Sequence, residues 1–523
     1  MPTFKLDGQE ISFEPGETVM QAAWRAGIEI PHYCWHPGLS IAANCRMCLV
    51  HITSGRQMAM PQLKFDEATG EYVPATKPKL QPACQLGAAE GMEVSAKNEE
   101  ATTAQASVQE FLLLNHPVDC PICDQAGECK LQDYYYEHQG TLKRKLTEPV
   151  HKPKGVKFGP TIVYDAERCI MCTRCIRVSD EVAKDHVLDM RERGNRNEIV
   201  LAPGRELDHK YTLMTEHVCP VGALTSSDFR FKARVWFLKS ATGVCTGCAT
   251  GCNTHVDYDP RYGKVYRLRP RDNEDVNKFW MCDDGMMTYT RQDTDRLVAP
   301  TRGRGEERET ILDDEALALA AEKLREIEGG KLGVVLSAQH TTEDNIALVK
   351  LAEALGAGQR YLAALGGWDG DDILRSDDNN PNRAGALAAA AGPLKSTAEM
   401  LADVQSGVIT GVIALGWATT ERLEELAPLV SLDAVVSLSS HVGALPAVAA
   451  VAIPVADTFE IDGSFVNAQG MAQAFTSVLA APAGVEPGWR AITMLAKKLG
   501  HDLGFTDVAS VREALSGQVE AAQ

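Results

Sequence analysis

A chain of 523 residues is longer than one hydrophobic core organises, and its 45% apolar and 24% charged residues suit several globular domains. The net charge of −19, with no basic stripe to follow a phosphate backbone, argues against nucleic acid as a partner. Met1 to Gly8 lack the basic-then-apolar texture of an export signal. The most apolar stretch, 434–456, is interrupted by Ser439, Ser440, His441, Pro446 and Pro454, so buried strand and helix are expected there, not a membrane span.

Phe4 and Leu6 alternate before an Asp7-Gly8 turn and Ile11 and Phe13 after it, which predicts a hairpin. Thr18 and Gln21 form a capping box for a helix over 19–26, ended by Gly27. A hairpin is not stable alone, so this helix is expected to pack across a small sheet. Cys34, Cys45, Cys48 and Cys84 follow with the spacing C-x10-C-x2-C-x35-C. One thiolate pair plus two distant thiolates is a ferredoxin-like arrangement for [2Fe–2S], whereas a zinc ribbon expects two Cys-x-x-Cys knuckles and only Cys45/Cys48 is present.

A helix over 104–114 with an apolar end is expected to deliver His116 into the loop His116, Cys120, Cys123, Cys129, spaced H-x3-C-x2-C-x5-C. Four soft ligands on so short a loop suit tetrahedral zinc or an iron–sulfur cluster. An imidazole in place of a thiolate makes a cluster less negative and raises its potential. The run Tyr134-Tyr135-Tyr136 reads as packing on a helix. Cys169, Cys172 and Cys175 form C-x2-C-x2-C after a strand over 161–164, and the isolated Cys219-Pro220 can complete a [4Fe–4S] site. Arg168, Arg174 and Arg177 flank these ligands, either offsetting charge, facing a partner or simply solvated. Cys245, Cys248, Cys252 and Cys282, spaced C-x2-C-x3-C-x29-C, define a further tetrahedral site, with [4Fe–4S] favoured over zinc by the company it keeps.

All 15 cysteines lie between Cys34 and Cys282. With His116 they divide into four groups of four with nothing left over, which points to metal sites in a reducing compartment, not to disulfides. Beyond Arg296 the texture changes. Strands over 333–337 and 411–416, a helix from the Thr341/Asp344 cap to Leu355, an alanine-rich helix over 386–391 and a helix over 421–426 predict parallel α/β layers. No G-x-G-x-x-G after a strand, no P-loop and no Ser/His/Asp or Cys/His nucleophilic set is present, so no catalytic residue is expected.

With all four groups placed, the chain resembles the 75 kDa-type (G-type) iron–sulfur subunits of proton-pumping NADH:quinone oxidoreductase, respiratory complex I. Cys34, Ala43-Asn44-Cys45-Arg46-Met47-Cys48 and Cys84 match the [2Fe–2S] centre of that family. Asn115 through Cys123 with Cys129 match its His-ligated [4Fe–4S] centre, and Cys169, Cys172, Cys175 and Cys219 match a second [4Fe–4S] centre. Cys245, Cys248, Cys252 and Cys282 look like the extra [4Fe–4S] site of some bacterial members, off the main electron path. Residues 457–470 are similar to a segment of molybdopterin oxidoreductases.

The resemblance implies an α/β and α+β multidomain chain. Its expected parts are a β-grasp ferredoxin-like [2Fe–2S] domain (1–97), a His(Cys)3 [4Fe–4S] domain (98–140), a second [4Fe–4S] domain (141–237), a [4Fe–4S] domain of the Mo/W bis-MGD type (238–295) and a degenerate molybdopterin-oxidoreductase-like scaffold (296–523). Cys282 is followed by Asp283-Asp284-Gly285-Met286, without the Lys and Arg that family leads one to expect, so no molybdopterin is expected. One [2Fe–2S] and three [4Fe–4S] clusters would relay electrons from a flavin-bearing, NADH-oxidising partner toward quinone, among the other hydrophilic subunits. The chain would be peripheral on the cytoplasmic face of the membrane, held there by partners, with no substrate site of its own. The relay motifs are shared with electron-transfer subunits of NAD-linked hydrogenases and formate dehydrogenases, which are the alternative.

Overall fold

The computed structural model describes residues 1–54, 59–138, 144–145, 147–416 and 423–521, and divides the chain into two compact units, Met1–Phe237 and Leu238–Gln523. In the first, Asp7 and Gly8 both take left-handed backbone (φ 51° and 84°), the geometry of a tight hairpin turn between β1 (Thr3–Leu6) and β2 (Gln9–Ser12). Helix α1 (Val19–Arg25) carries the expected Thr18/Gln21 capping box, and Gly27 follows with φ 71°. Next come β3 (Leu49–Ser54), a long two-stranded arm of β4 (Ala59–Asp66) and β5 (Glu71–Pro78), then β6 (Leu80–Pro82) and β7 (Glu93–Ser95). The main sheet has the order β2-β1-β7-β3-β6, with β1 and β7 parallel. Val19, Met20, Ala22 and Ala23 of α1 are buried in one core with Phe4, Leu6, Ile11, Val50, Ile52 and Val94 of the sheet.

Helix α2 (Glu99–Leu113) begins five residues earlier than expected. Asn98 caps it by accepting the Ala101 N–H, and Glu99 and Glu100 sit at the positive end of the helix dipole. Helix α3 (Lys130–His138) packs on α2, and Gln109, fully buried, donates to the Leu131 carbonyl at 2.8 Å. Beyond it lie β8 (Val156–Lys157), β9 (Ile162–Tyr164), the short α4 (Arg174–Arg177), β10 (Leu188–Arg191), β11 (Glu198–Leu201), α5 (Leu213–His217) and β12 (Leu224–Ser226), forming a β12-β9-β8 sheet and a β10-β11 pair.

The second unit opens with an antiparallel sheet of β13 (Lys239–Val244), β14 (Asn253–Asp259) and β15 (Lys264–Pro270), followed by the one-turn α6 (Asp283–Met286). Then come β16 (Thr301–Arg302), β17 (Glu309–Thr310), α7 (Asp313–Arg325), β18 (Leu332–Ser337), α8 (Thr342–Ala354), β19 (Gln359–Ala363), α9 (Arg383–Ala390), β20 (Lys395–Ser396), α10 (Thr397–Gln405), β21 (Gly411–Leu415), α11 (Ala427–Val430), β22 (Ala434–Ser439), α12 (Ala444–Val448) and β23 (Val451–Pro454). These strands form one sheet of order β17-β16-β23-β22-β21-β18-β19-β20, whose run β23 to β20 is parallel throughout. Residues 434–456 are therefore strand, short helix and strand, as their interrupted apolar run implied. One apolar core joins the sheet to α7, α8, α9 and α13 (Gly488–Leu499), and a second joins it to α10, α11 and α12. The hairpin β24 (Gly463–Val466) and β25 (Ala472–Phe475) and helix α14 (Val508–Ala521) complete the unit. Of the helix expected over 421–426, Glu421 and Arg422 lie outside the described residues and Leu423–Leu426 is a 3-10 turn. Among the described residues no helix is long and apolar enough to cross a membrane.

Candidate metal centres

Each cysteine group of the first unit sits on a loop whose backbone is bent where side chains normally resist it. Ala43 and Arg46 (φ 50° and 63°) flank Cys45, Val118 (φ 53°) lies between His116 and Cys120, and Met171 and Thr173 (φ 57° and 62°) alternate with Cys169, Cys172 and Cys175. Left-handed non-glycine residues cost roughly 1–3 kcal/mol each and persist where something else holds the loop.

In the first group Cys34, Cys48 and Cys84 are buried. The Cys34 N–H points to Cys45 Sγ at 3.5 Å, and Cys48 Sγ lies 3.5 Å from Cys84 Sγ. The four thiols approach one another as two pairs, Cys34 with Cys45 and Cys48 with Cys84. Hydrogen bonding from Cys45 pulls Cys34 down to about 5, hydrogen bonding from Cys48 lowers Cys84, and Cys45 and Cys48 are pushed far up in return.

The second group is built where α2 ends. Asn115 anchors the loop by accepting from Lys145 Nζ (2.5 Å) and the Val150 N–H (3.1 Å). The left-handed turn at Val118 aims its N–H at His116 Nδ1, 3.1 Å away. Burial pulls the His116 pKa down to about 4, so the imidazole is neutral at pH 7, the form that ligates metal. Asp119 receives a bidentate Arg168 (2.9 and 2.8 Å) and Lys154 at 3.2 Å. Burial works against its charge, but these cations hold it at about 2. Cys120 opens a 3-10 turn, Gly127 takes φ 93°, and burial pushes Cys129 up to about 11.

In the third group Cys169, Cys172, Cys175 and Cys219 line one enclosed cavity, walled by Tyr164, Ile199, Val221 and Leu224. The Met171 N–H reaches Cys169 Sγ at 3.4 Å. Burial pushes Cys169 and Cys172 up to about 11 and Cys219 to about 12. Four thiols converging in apolar surroundings ionise only against a cation, which is the condition a thiolate-bound metal or cluster satisfies.

The fourth group lies in the second unit. Cys245 and Cys282 Sγ accept the N–H groups of Gly247 and Gly285, each at 3.3 Å, the latter capping α6. A Cβ on Gly285 would lie 3.1 Å from Cys245 Sγ and 3.4 Å from Cys282 Sγ, so glycine lets the backbone reach both sulfurs. Cys248 and Cys252 are buried beside them, and burial pushes Cys282 up to about 12. Among the described residues no three His, Cys, Asp or Glu side chains close around a single ion. Cysteines within each group lie near one another without closing to single-ion distances, while His116 shares its loop with Cys120 and faces Asp119.

The third group is tied to each of the first two. Arg174 donates to the Trp35 carbonyl, Arg177 to the Cys34, Ser40 and Cys172 carbonyls, and Asn44 Nδ2 to the Met171 carbonyl at 3.2 Å, which ties groups one and three. The Lys130 N–H donates to the Pro220 carbonyl at 3.0 Å, Arg168 beside Cys169 grips Asp119 beside Cys120, and a Cβ on Gly222 would lie 2.2 Å from Cys123 Sγ, which ties groups two and three. Groups one and two also meet, through the edge-on Tyr33–Tyr134 pair (5.3 Å between ring centres) and the Tyr33–Gln109 hydrogen bond. Solvation of the three arginines is overturned: Arg168, Arg174 and Arg177 are 3%, 8% and 9% exposed. Asp119 and Gly222 carried no signal beyond their proximity to ligands. Tyr134 is buried packing as expected, while Tyr136 is exposed.

Comparison with known proteins gives the class first. A 2Fe-2S iron–sulfur cluster binding domain model matches residues 1–99, an NADH-ubiquinone oxidoreductase-G iron–sulfur binding region matches 105–141, and the ferredoxin-like domain of NADH-quinone oxidoreductase subunit 3 matches 159–225. The chain is an iron–sulfur protein of mixed α/β architecture. It is 34% identical over 362 residues to the mitochondrial NADH dehydrogenase [ubiquinone] iron–sulfur protein 1 of Solanum tuberosum, covering 69% of this chain and 46% of that one. It is 35% identical over 356 residues to the mitochondrial NADH-ubiquinone oxidoreductase 78 kDa subunit of Candida albicans (67% and 46%), and 34% identical over 369 residues to NADH-quinone oxidoreductase subunit 3 of Thermus thermophilus (68% and 46%). Over these matched residues the chain belongs to the 75 kDa-type iron–sulfur subunit family of NADH-quinone oxidoreductase. It spans slightly less than half the length of these relatives. Among solved structures it is similar to an NAD+-reducing [NiFe]-hydrogenase in the H2-reduced state (29% identity, TM-score 0.36, 45% of this chain and 91% of that one). It is also similar to acetylene hydratase from Pelobacter acetylenicus (10% identity, TM-score 0.41, 54% and 72%).

Proposed function

We propose that this chain is an electron-relay subunit of a proton-pumping NADH:quinone oxidoreductase, placed between a flavin-bearing, NADH-oxidising partner and the quinone-reducing end of the complex. One observation carries the reading. Three ligand groups occupy one unit, with Cys169/Cys172/Cys175/Cys219 tied on one side to Cys34/Cys45/Cys48/Cys84 and on the other to His116/Cys120/Cys123/Cys129. We assign the Cys34 group to one [2Fe–2S] cluster and the other three groups to [4Fe–4S] clusters, with the fourth aside from the relay.

Such clusters supply one-electron redox chemistry at potentials from roughly −700 to +450 mV, tuned by ligand type, charge and burial. This chain's residues provide the tuning. Thiolates and a neutral imidazole set ligand charge, apolar walls such as Val221 and Leu224 exclude water, and the Arg168–Asp119 pair fixes the His116 loop. We place the domain limits at 97, 140, 237 and 295, expect no molybdopterin in the second unit, and assign the chain to the cytoplasmic face of the membrane through its partners. Co-purification of the tagged chain from its native membrane tests the placement. Recovery with a flavin subunit that reduces it from NADH, together with membrane-embedded subunits, is expected. Recovery with a hydrogenase or formate dehydrogenase catalytic subunit instead would overturn it.

A further inference from the structure

Among the described residues, Arg174 and Arg177 are buried cations whose hydrogen-bond partners are all neutral carbonyls. They sit one helical turn apart on α4, which starts immediately after the left-handed Thr173 and overlaps the end of the Cys-x2-Cys-x2-Cys triplet. Arg174 donates to the carbonyls of Trp35 and Val218, the latter at 3.3 Å. Arg177 donates to those of Ser40, Cys34 and Cys172, the last at 3.3 Å. The Nε of each is buried without a hydrogen-bond partner, and among the described residues no carboxylate forms an ion pair with either. Arg168, nearby in the chain, differs in gripping Asp119 and Asp165. Glu181, which reaches the same loop, binds the Ser40 N–H at 2.9 Å and its hydroxyl.

A guanidinium removed from water needs a counter-charge, and an uncompensated one costs far more than a lost hydrogen bond. The carbonyls that the pair grips include those of Cys34, Cys172 and Val218, the last beside Cys219, so its guanidiniums sit against two different ligand groups, with His32 and His36 also close by. We propose that Arg174 and Arg177 are a shared counter-charge for the Cys34 group and the Cys169/Cys172/Cys175/Cys219 group, holding the reduced, more negative state of both and fastening the two groups to each other. The proposal rests on the cluster reading above. Their five hydrogen bonds to backbone carbonyls make them positioning residues as well, so charge and geometry have to be separated by experiment.

The test is a redox titration of the full chain, followed by electron paramagnetic resonance, for wild type, Arg174→Gln, Arg177→Gln and the corresponding Lys variants. Each Gln variant is expected to need at least a tenfold more reducing poise to half-reduce the two neighbouring groups, which is about 59 mV for a one-electron couple. A smaller change is expected at the His116 group, and Lys is expected to recover most of the loss. Unchanged midpoints in Gln variants that keep their signals would overturn the proposal while leaving the relay reading intact. Absence of cluster signals from the wild type would overturn the relay reading itself. If the Gln variants fail to assemble, the Lys variants decide. Assembly with Lys supports the charge role, and failure with both Gln and Lys assigns these residues to shape alone and overturns it.

Discussion

At the scale of single residues, His116 is the proposed ligand whose chemistry differs from all the others. A neutral imidazole replaced by a thiolate adds one negative charge to the site, so His116→Cys is expected to keep its cluster and lower its midpoint. An unchanged midpoint in a redox titration would show that His116 is not a ligand. Gly222 is the second such position. An added Cβ would meet Cys123 Sγ at 2.2 Å and Gln125 Cβ at 3.0 Å. Gly222→Ala is expected to destabilise the unit by about 1–3 kcal/mol in urea unfolding and to disturb the His116 signal first. Wild-type stability with an unaltered signal would refute the close approach. The cysteine groups were legible in the sequence because metal chemistry constrains residue type and spacing together. The burial of the arginines was not, because Arg177 is covered by carbonyls of a loop roughly 140 positions away in sequence, a contact no local pattern encodes.

At the scale of elements, the strongest local signals are reproduced: the Asp7-Gly8 hairpin, the Thr18 capping box and the Thr341 cap of α8. The arm β4–β5 is absent from the sequence-based expectation, although Leu63 and Phe65 alternate before Gly70, which takes φ 71°; its exposed Phe65–Tyr72 cross-strand pair gives no burial signal. The early start of α2 is encoded in Asn98, Glu99 and Glu100, upstream of the apolar residues that mark the end of the helix. Helix α8 supplies a pH test. Asp344 is buried, accepts the Trp489 N–H at 2.7 Å, and burial raises its pKa to about 6. Its folded pKa exceeds the unfolded value, so the stability it contributes is fully present below about pH 4 and is lost as pH rises through about 6. Asp344→Asn keeps the acceptor and removes the ionisation. It is expected to flatten the stability profile between pH 4 and 6 and to stabilise the chain at pH 7 by on the order of 2–3 kcal/mol. A profile identical to wild type in urea titrations would contradict this assignment.

At the scale of the whole molecule, parallel α/β layering followed from alternating strands and helices, but the strand order did not. The chain runs outward from β18 to β19 and β20, then returns to place β21, β22 and β23 on the other side of β18, a reversal that strand composition alone does not encode. The first unit shows the opposite balance, with little regular structure around its proposed ligands and left-handed loops that bound clusters are expected to hold. The central claim is that the 15 cysteines and His116 build four iron–sulfur sites. Iron, sulfide and zinc analysis of the anaerobically purified full chain, paired with electron paramagnetic resonance of the dithionite-reduced protein, tests it most directly. Iron and sulfide matching one two-iron and three four-iron clusters, with a [2Fe–2S] signal and distinct [4Fe–4S] signals, is the expected result. Bound zinc with no [2Fe–2S] signal would contradict it.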